Sequence, residues 1–287
     1  MSGRLIAIVA MSVSAVCLLR GAPQQARFSS RATGVRVDVL VARGNRPVAG
    51  LTKDDFEVRD NNVLQLIDAV ESNDVPINAV LALDTSGSTE GLRLKNLLDA
   101  GRALIDGLRP QDRGALTTFN HAVTPRVPLT ADTALLKSSL DQITASGPTA
   151  ILDGIYVGLM TTLSEPGRSL VVLCTDGQDT ASFLQLDEVT DAAKRSNAVL
   201  YAVAAGSARR GPYLKTLTEL TGGGLIEVEK SSDYRAQVQQ ILEQFRSGYV
   251  LTFTPKDVAA GGFHTLDVKV RRGGMTVKAR QGYMSVG

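Results

Sequence analysis

The apolar positions of this chain change period twice. From Val35 they alternate, with Val35, Val37, Val39 and Val41 on one side and Arg36, Asp38 and Leu40 on the other, which predicts a half-buried strand. Asn45-Arg46-Pro47 marks a turn, and the strand-like stretches 56–59 and 63–66 flank Asp60-Asn61-Asn62, a hairpin pattern. From Ile77 the style becomes β and α in alternation. Residues 77–83 are an unbroken apolar run, as expected of a strand covered on both faces. Helical spacing follows over 92–108 through Leu94, Leu97, Leu98, Ala100, Leu104 and Ile105, and Pro110 stops it. Further strands are predicted at 114–119, 170–174, 198–204 and 225–228, with a short edge hairpin over 122–129. Further helices are predicted at 133–143, 151–163, 186–195, 213–220 and 234–245. After Gly248 strand alternation returns at 249–254, 265–271 and 275–280, with Leu266, Val268 and Val270 inward.

This order predicts an α/β fold, a Rossmann-like three-layer α/β/α domain with a mostly parallel sheet over residues 76–247. The flanking β segments, 34–73 and 248–287, are each too small to stand alone, since a lone hairpin is marginal. They are predicted to pack together as one small β-sandwich-like module, with the α/β domain inserted between its halves.

The first 33 residues read differently. Arg4 precedes the apolar stretch 5–19, which Ser12 and Ser14 interrupt. It is short for a membrane span and fits a signal peptide over 1–22 with no marked cleavage point; an uncleaved anchor is the competing reading. Residues 23–33 are a polar linker. Export to the periplasm or the extracellular space is the expectation, with no integral membrane span once the leader is removed. Cys17 raises lipidation, against which Val16 is too large just before it. Without Cys17, Cys174 stands alone in an apolar run, so a buried inert thiol is expected and no internal disulfide.

Composition excludes more than it selects. Hydrophobic residues at 44% and charged residues at 21% are ordinary for a soluble globular protein. Thirty-one basic against 29 acidic residues leave a net charge of +2, with no general pull toward nucleic acid or anionic membrane. The lack of Trp argues against a base-stacking platform, so no nucleic-acid partner is expected. Lys269, Arg271, Arg272, Lys278 and Arg280 alternate with apolar residues and predict a solvated sheet face rather than a polyanion site. No G-x-S-x-G elbow and no G-x-x-x-x-G-K-[ST] loop occurs. The two histidines, His121 and His264, fall in different predicted modules, which argues against a Ser-His-Asp triad or a zinc cluster. Gly222-Gly223-Gly224 follows a helix and reads as its stop.

Three oxygen-rich turns carry the candidate chemistry. Asp84-Thr85-Ser86-Gly87-Ser88 ends the run 77–83, Gly147-Pro148-Thr149 opens the helix at Ala150, and Thr175-Asp176-Gly177 closes the run 170–174. Loops so placed can converge at one edge of a parallel sheet, where open α/β proteins bind ligands. Two carboxylates and three hydroxyls, without nitrogen or sulfur, suit a hard cation such as Mg²⁺ or Mn²⁺ better than zinc or copper. Singly, each residue reads as a helix cap, Ser88 before Thr89-Glu90 and Thr149 before Ala150.

Together, in this order, Asp84, Ser86, Ser88, Thr149 and Asp176 resemble the metal-ion-dependent adhesion site of von Willebrand factor type A domains: D-x-S-x-S, a distant threonine and a more distant aspartate. Val48-Ala49-Gly50-Leu51-Thr52-Lys53-Asp54-Asp55-Phe56 and Arg280-Gln281-Gly282-Tyr283 resemble a bacterial exported branch, the VWFA-related domain family. The likeness covers nearly the whole chain after the leader. It implies that Ser86, Ser88 and Thr149 touch a cation directly, and that Asp84 and Asp176 bind it directly or through water. It implies Mg²⁺, with Mn²⁺ or Ca²⁺ as substitutes, and a protein ligand whose acidic residue takes the open position. Asp179 is expected to orient Asp176 or a water. The function implied is an exported, cation-dependent protein-binding module for adhesion or assembly, without catalysis. Two other classes compete: a metal-assisted hydrolase of phosphate esters, and a structural envelope component with a vestigial metal site. Against the hydrolase, no general base stands out beyond the metal carboxylates, and no Lys or Arg adjoins the three loops in sequence. The sequence indicates no oligomeric state.

Overall fold

The valine alternation becomes β1 (Val35–Arg43), in which Val37, Val39 and Val41 point into a core. The structure is a computed structural model that describes residues 34–44, 46–72, 75–205 and 212–285. The expected leader and linker, and Asn45 of the expected turn, lie outside the described residues. β2 (Arg46–Pro47) folds back on β1. β3 (Phe56–Asp60) and β4 (Val63–Gln65) form the expected hairpin. Asn61 and Asn62 turn it at φ 44° and 68°, a left-handed conformation that asparagine tolerates. β5 (Ile67–Ser72) completes the first segment.

The α/β domain follows as β6 (Ile77–Asp84), α1 (Leu92–Asp106), β7 (Arg113–Phe119), β8 (Val123–Thr130), α2 (Thr133–Leu140) and α3 (Ile151–Thr161). It continues as β9 (Arg168–Thr175), α4 (Leu186–Arg195), β10 (Val199–Ala205), α5 (Tyr213–Leu220), β11 (Gly224–Val228) and α6 (Tyr234–Arg246). Its six-stranded sheet runs β11-β10-β9-β6-β7-β8, parallel except at β8. The stretch 122–129, expected as a hairpin of its own, is instead a single edge strand. The cause is local: the Asn120 side chain accepts from Ala122 N at 3.1 Å, so the chain reverses at once and β7 itself is the partner. Pro125 and Pro128 are tolerated because β8 is an edge.

The unbroken run of β6 divides between two cores. Ile77, Ala79, Leu81 and Leu83 face α1, α2 and α6, while Val80 and Ala82 face α3, α4 and α5. Cys174 lies in the first core, where burial pushes its thiol up to about 12. No described helix is long and apolar enough to cross a membrane.

The chain returns through β12 (Tyr249–Phe253), β13 (Gly262–Val270), β14 (Thr276–Ala279) and β15 (Gly282–Ser285). β1 pairs antiparallel with both β12 and β14, and β3 pairs with β13. The two sheets, β14-β1-β12-β5 and β15-β13-β3-β4, enclose Val37, Val39, Phe56, Val58, Tyr249, Leu251 and Phe253. Strands from the two ends of the sequence thus interleave, with the α/β domain inserted between them. Inside this module Asp60, His264 and Tyr283 meet: Tyr283 OH donates to Asp60 Oδ2 at 2.6 Å, and His264 Nδ1 lies 2.8 Å from Asp60 Oδ1.

The expected solvated basic face holds for Lys269, which pairs with Asp267, and Arg272, which pairs with Asp55, but not for Arg280. β14 ends at Ala279, so Arg280 leaves the alternation and turns inward. It donates to Asn197 Oδ1 at 3.0 Å and to Lys194 O at 3.1 Å, at the end of α4. Burial lowers its guanidinium to about 10. Gly222, at φ 86°, stops α5 through Gly222 N to Glu219 O and Gly223 N to Thr218 O. A Cβ there would sit 2.5 Å from Arg280 N, so the glycine also admits the neighbouring backbone.

Candidate metal centre

The site begins with strand order. From β6 the sheet grows to β7 on one side and β9 on the other, so the loops after β6 and β9 face each other across the point where connections diverge. Asp84 is the last residue of β6, and Asp176 follows β9 directly. The third loop is tied to the first by Gly87 N to Gly147 O at 2.8 Å and Ser146 N to Thr85 O at 2.8 Å.

Within this frame the five candidate residues come together. Asp84 is wholly buried, and its Oδ1 accepts from Ser86 N at 2.9 Å and Ser86 Oγ at 2.6 Å. Its Oδ2 accepts from Thr175 Oγ1 at 2.5 Å. Ser86 Oγ and Ser88 Oγ are 3.1 Å apart, and Ser88 Oγ donates to Asp176 Oδ1 at 2.7 Å. Thr149 joins from the far side. A Cβ built on Gly177 would lie 3.3 Å from Thr149 Oγ1, 3.6 Å from Asp84 Oδ2 and 3.7 Å from Ser88 Oγ. A single carbon-sized position beside Gly177, on the loop after β9, therefore touches oxygens from the other two loops. Asp84, Ser86, Thr149 and Thr175 are buried, while Ser88 is open to solvent.

The donors fit a hard cation. Their hydroxyls and carboxylates now bond one another, as unsatisfied oxygens around a polar cradle must. Among the described residues no group of three His, Cys, Asp or Glu could hold a metal, so a site here depends on the hydroxyls. Burial pushes the Asp84 carboxyl above its ordinary value, against hydrogen bonds from Ser86 and Thr175, and the charge of Asp176 adds to the rise. A divalent cation would reverse that direction.

Capping does not account for the hydroxyls. α1 is capped at Gly91 and α3 at Ala150, neither with a side-chain bond. Asp179, expected to orient Asp176, is used elsewhere: it accepts from Leu152 N at 2.8 Å, at the start of α3, and from Ser182 Oγ at 2.5 Å. Its partners are the α3 amide of Leu152 and Ser182 of its own loop, not Asp176. Asp176 is held instead by Ser88 and by Arg93, whose Nη1 reaches Asp176 Oδ2 at 3.2 Å and Ser88 O at 2.9 Å. No Lys or Arg adjoins the loops in sequence, but Arg93, five residues beyond Ser88, reaches them in space. Arg93 was hidden because a short 3-10 turn at Gly87–Thr89 sets the phase of α1. Thr175 was also missed; its signal is a hydroxyl beside Asp176, at the buried end of a strand. His121, exposed, lies near the third loop: a Cβ on Gly147 would be 3.0 Å from its Nδ1.

Comparison with known proteins bears on the same segment. The family model for the von Willebrand factor type A domain matches residues 78–244. Inter-alpha-trypsin inhibitor heavy chain H2 of Sus scrofa is 28% identical over 193 residues, which is 61% of this chain and 21% of that protein. The chain thus spans about a fifth of the length of the heavy chains it matches. A von Willebrand factor type A structure from Catenulispora acidiphila superposes with TM-score 0.54 at 14% identity, over 90% of this chain and 75% of that one. Proximal thread matrix protein 1 from the mussel byssus, with a zinc-occupied MIDAS motif, superposes with TM-score 0.55 at 16% identity, over 64% of this chain and 48% of that one. These two likenesses establish the fold. With its family model matched across more than half of the sequence, the chain belongs to the von Willebrand factor type A domain family.

Proposed function

We propose that this protein is an exported, divalent-cation-dependent binding module that captures an acidic residue of a protein partner, and that it is not an enzyme. The observation that carries the reading is the meeting of five oxygen donors at the sheet edge: hydrogen bonds link Asp84, Ser86, Ser88 and Asp176 in turn, and Thr149 Oγ1 shares with Asp84 and Ser88 the position beside Gly177. Ser86, Ser88 and Thr149 offer neutral oxygens, and Asp84 and Asp176 supply the charge. Ser86 N and Thr175 Oγ1 fix the Asp84 carboxylate, so the floor of the site is preorganised. Mg²⁺, ligated mainly by hydroxyls, would stay under-neutralised and offer an electrophilic position to a carboxylate. Ser88, exposed, is where a partner would approach.

The apolar stretch 5–19 after Arg4 supports a signal peptide over 1–22, a linker over 23–33, and a location in the periplasm or outside the cell. Capture of a carboxylate at the sheet edge needs no contribution from the β module, which we assign to 34–73 and 248–287.

Calorimetric titration of Mg²⁺, Mn²⁺, Ca²⁺ and Zn²⁺ into the protein tests this reading. Zinc is included because the mussel matrix protein carries it. We expect binding in the wild type and none in the double variant Asp84→Ala, Ser86→Ala. Absence of binding to folded wild type would leave a structural component with a vestigial site. Metal-dependent turnover of a phosphate ester, abolished by Ser86→Ala, would make the protein a hydrolase.

A further inference from the structure

Phe183 is 87% exposed, the most exposed large apolar residue among those described and the only aromatic so placed. It stands in the loop that leads from Asp176 to α4. That loop is bonded to the Thr149 backbone on both sides: Thr180 N and Ala181 N donate to Thr149 O at 2.8 and 3.0 Å, and Thr149 N donates to Thr180 Oγ1 at 3.1 Å. Phe183 is two residues beyond Ala181, which at about 3.5 Å per residue puts its Cα within roughly 7 Å of that anchor.

The loop around it is fixed. Asp153 takes Phe183 N and Leu184 N on its two oxygens, both at 2.9 Å. Asp179 takes Ser182 N at 3.1 Å and Leu152 N at 2.8 Å. Two aspartates thus lace the loop to the start of α3, one from each side. Leu184 tucks against the core, and Phe183 between these anchors points out. A flexible loop would fold such a ring inward; this one holds it in water, where burial by a partner gains its whole apolar surface without further ordering.

We infer that Phe183 is an apolar anchor beside the metal edge, and that the partner is a protein segment whose metal-directed Asp or Glu has a large apolar side chain within about three residues. The spacing follows from the reach between Thr149 and Phe183. The inference rests on the metal-capture reading above, and it adds a second determinant that the cation does not supply.

The probe is a random dodecapeptide library displayed on phage, bound to the whole protein in Mg²⁺ and released by EDTA. We expect the released clones to share an acidic residue with a large apolar neighbour. A synthetic peptide of the enriched sequence should bind Phe183→Ser at least about tenfold more weakly. The same variant should keep wild-type Mg²⁺ affinity and an unchanged melting temperature, since the ring touches no core. Enrichment of acidic residues without apolar neighbours, or a peptide indifferent to Phe183→Ser, overturns this inference and leaves metal capture standing. A fall in mass by light scattering on Phe183→Ser, with peptide affinity unchanged, assigns the ring to a contact between two copies and also overturns it. Absence of EDTA-released clones while calorimetry detects the metal overturns both this inference and the capture of carboxylates.

Discussion

Two carboxylates in this molecule are wholly buried at the ends of strands and surrounded by hydroxyl or imidazole partners, and they do opposite work. Asp60 in the β module is closed in by His264 and Tyr283. Asp60 and His264 Nδ1 are both closed off from solvent there. Asp84 at the sheet edge has the same number of side-chain partners, Ser86 and Thr175, yet a Cβ on Gly177 meets its Oδ2 only at 3.6 Å. The difference lies in what surrounds the carboxylate. Asp60 is a strut that joins β3, β13 and β15. Asp84 faces a set of hydroxyl and carboxylate oxygens that hydrogen-bond one another.

The largest expected effect separates the two directly. Asp60→Ala leaves the Tyr283 hydroxyl and His264 Nδ1 without their acceptor in a dry core, and should cost about 2–4 kcal/mol by chemical denaturation. Asp84→Ala should cost less in metal-free buffer, because Ser86 Oγ keeps Ser88 Oγ, and Thr175 Oγ1 keeps Gly177 N, as a partner. Metal reverses the ranking. The wild type should gain ~2.7 kcal/mol at a cation concentration a hundred times Kd, and Asp84→Ala should gain nothing. An Asp60→Ala protein as stable as wild type would end the distinction between strut and ligand.

A smaller effect sharpens the comparison through pH. The folded Asp84 carboxyl is raised above its ordinary 3.8, first by burial. It therefore holds its proton more tightly folded than unfolded, and the metal-free protein gains stability from this group as pH falls into the window just above 3.8. With metal bound the sign inverts, since the ligand must be ionised, and stability is lost over the same fall. Melting curves with EDTA and with Mg²⁺ should diverge on acidification. Asp84→Asn should bring them together.

Much of this was legible in the sequence. The period change at Ile77 and the return of alternation after Gly248 carried the insertion of one domain in another, because burial on one or both faces writes directly into hydrophobic spacing. The convergence of the three oxygen-bearing turns was legible because each sits where a strand ends or a helix begins. The remainder depended on geometry that spacing does not encode. Arg280 reads as one more exposed base in an alternating strand, and only the end of β14 at Ala279 turns it inward. Arg93 reaches Asp176 across 83 residues, and Asp179 turns to α3, for reasons set by loop packing. β8 hid in a proline-bearing stretch whose partner was the strand already counted.

Gly177→Ala tests the shape of the cradle with the least disturbance. Its φ is not in the left-handed region, so alanine is sterically accessible to the backbone. The new methyl would press on Thr149 Oγ1 at 3.3 Å and otherwise make ordinary contacts with Asp84 and Ser88. Stability in metal-free buffer should change by no more than about 0.5 kcal/mol, as for a substitution away from the core. Mg²⁺ affinity should fall by up to about tenfold, because this ion demands near-ideal octahedral geometry and a crowded threonine distorts it. Ca²⁺, with looser geometry, should lose less, so the ratio of the two affinities, measured by calorimetry, is the telling quantity. An unchanged ratio would mean that a bound cation lies outside the space between Thr149, Asp84 and Ser88, and that the three loops converge for packing alone.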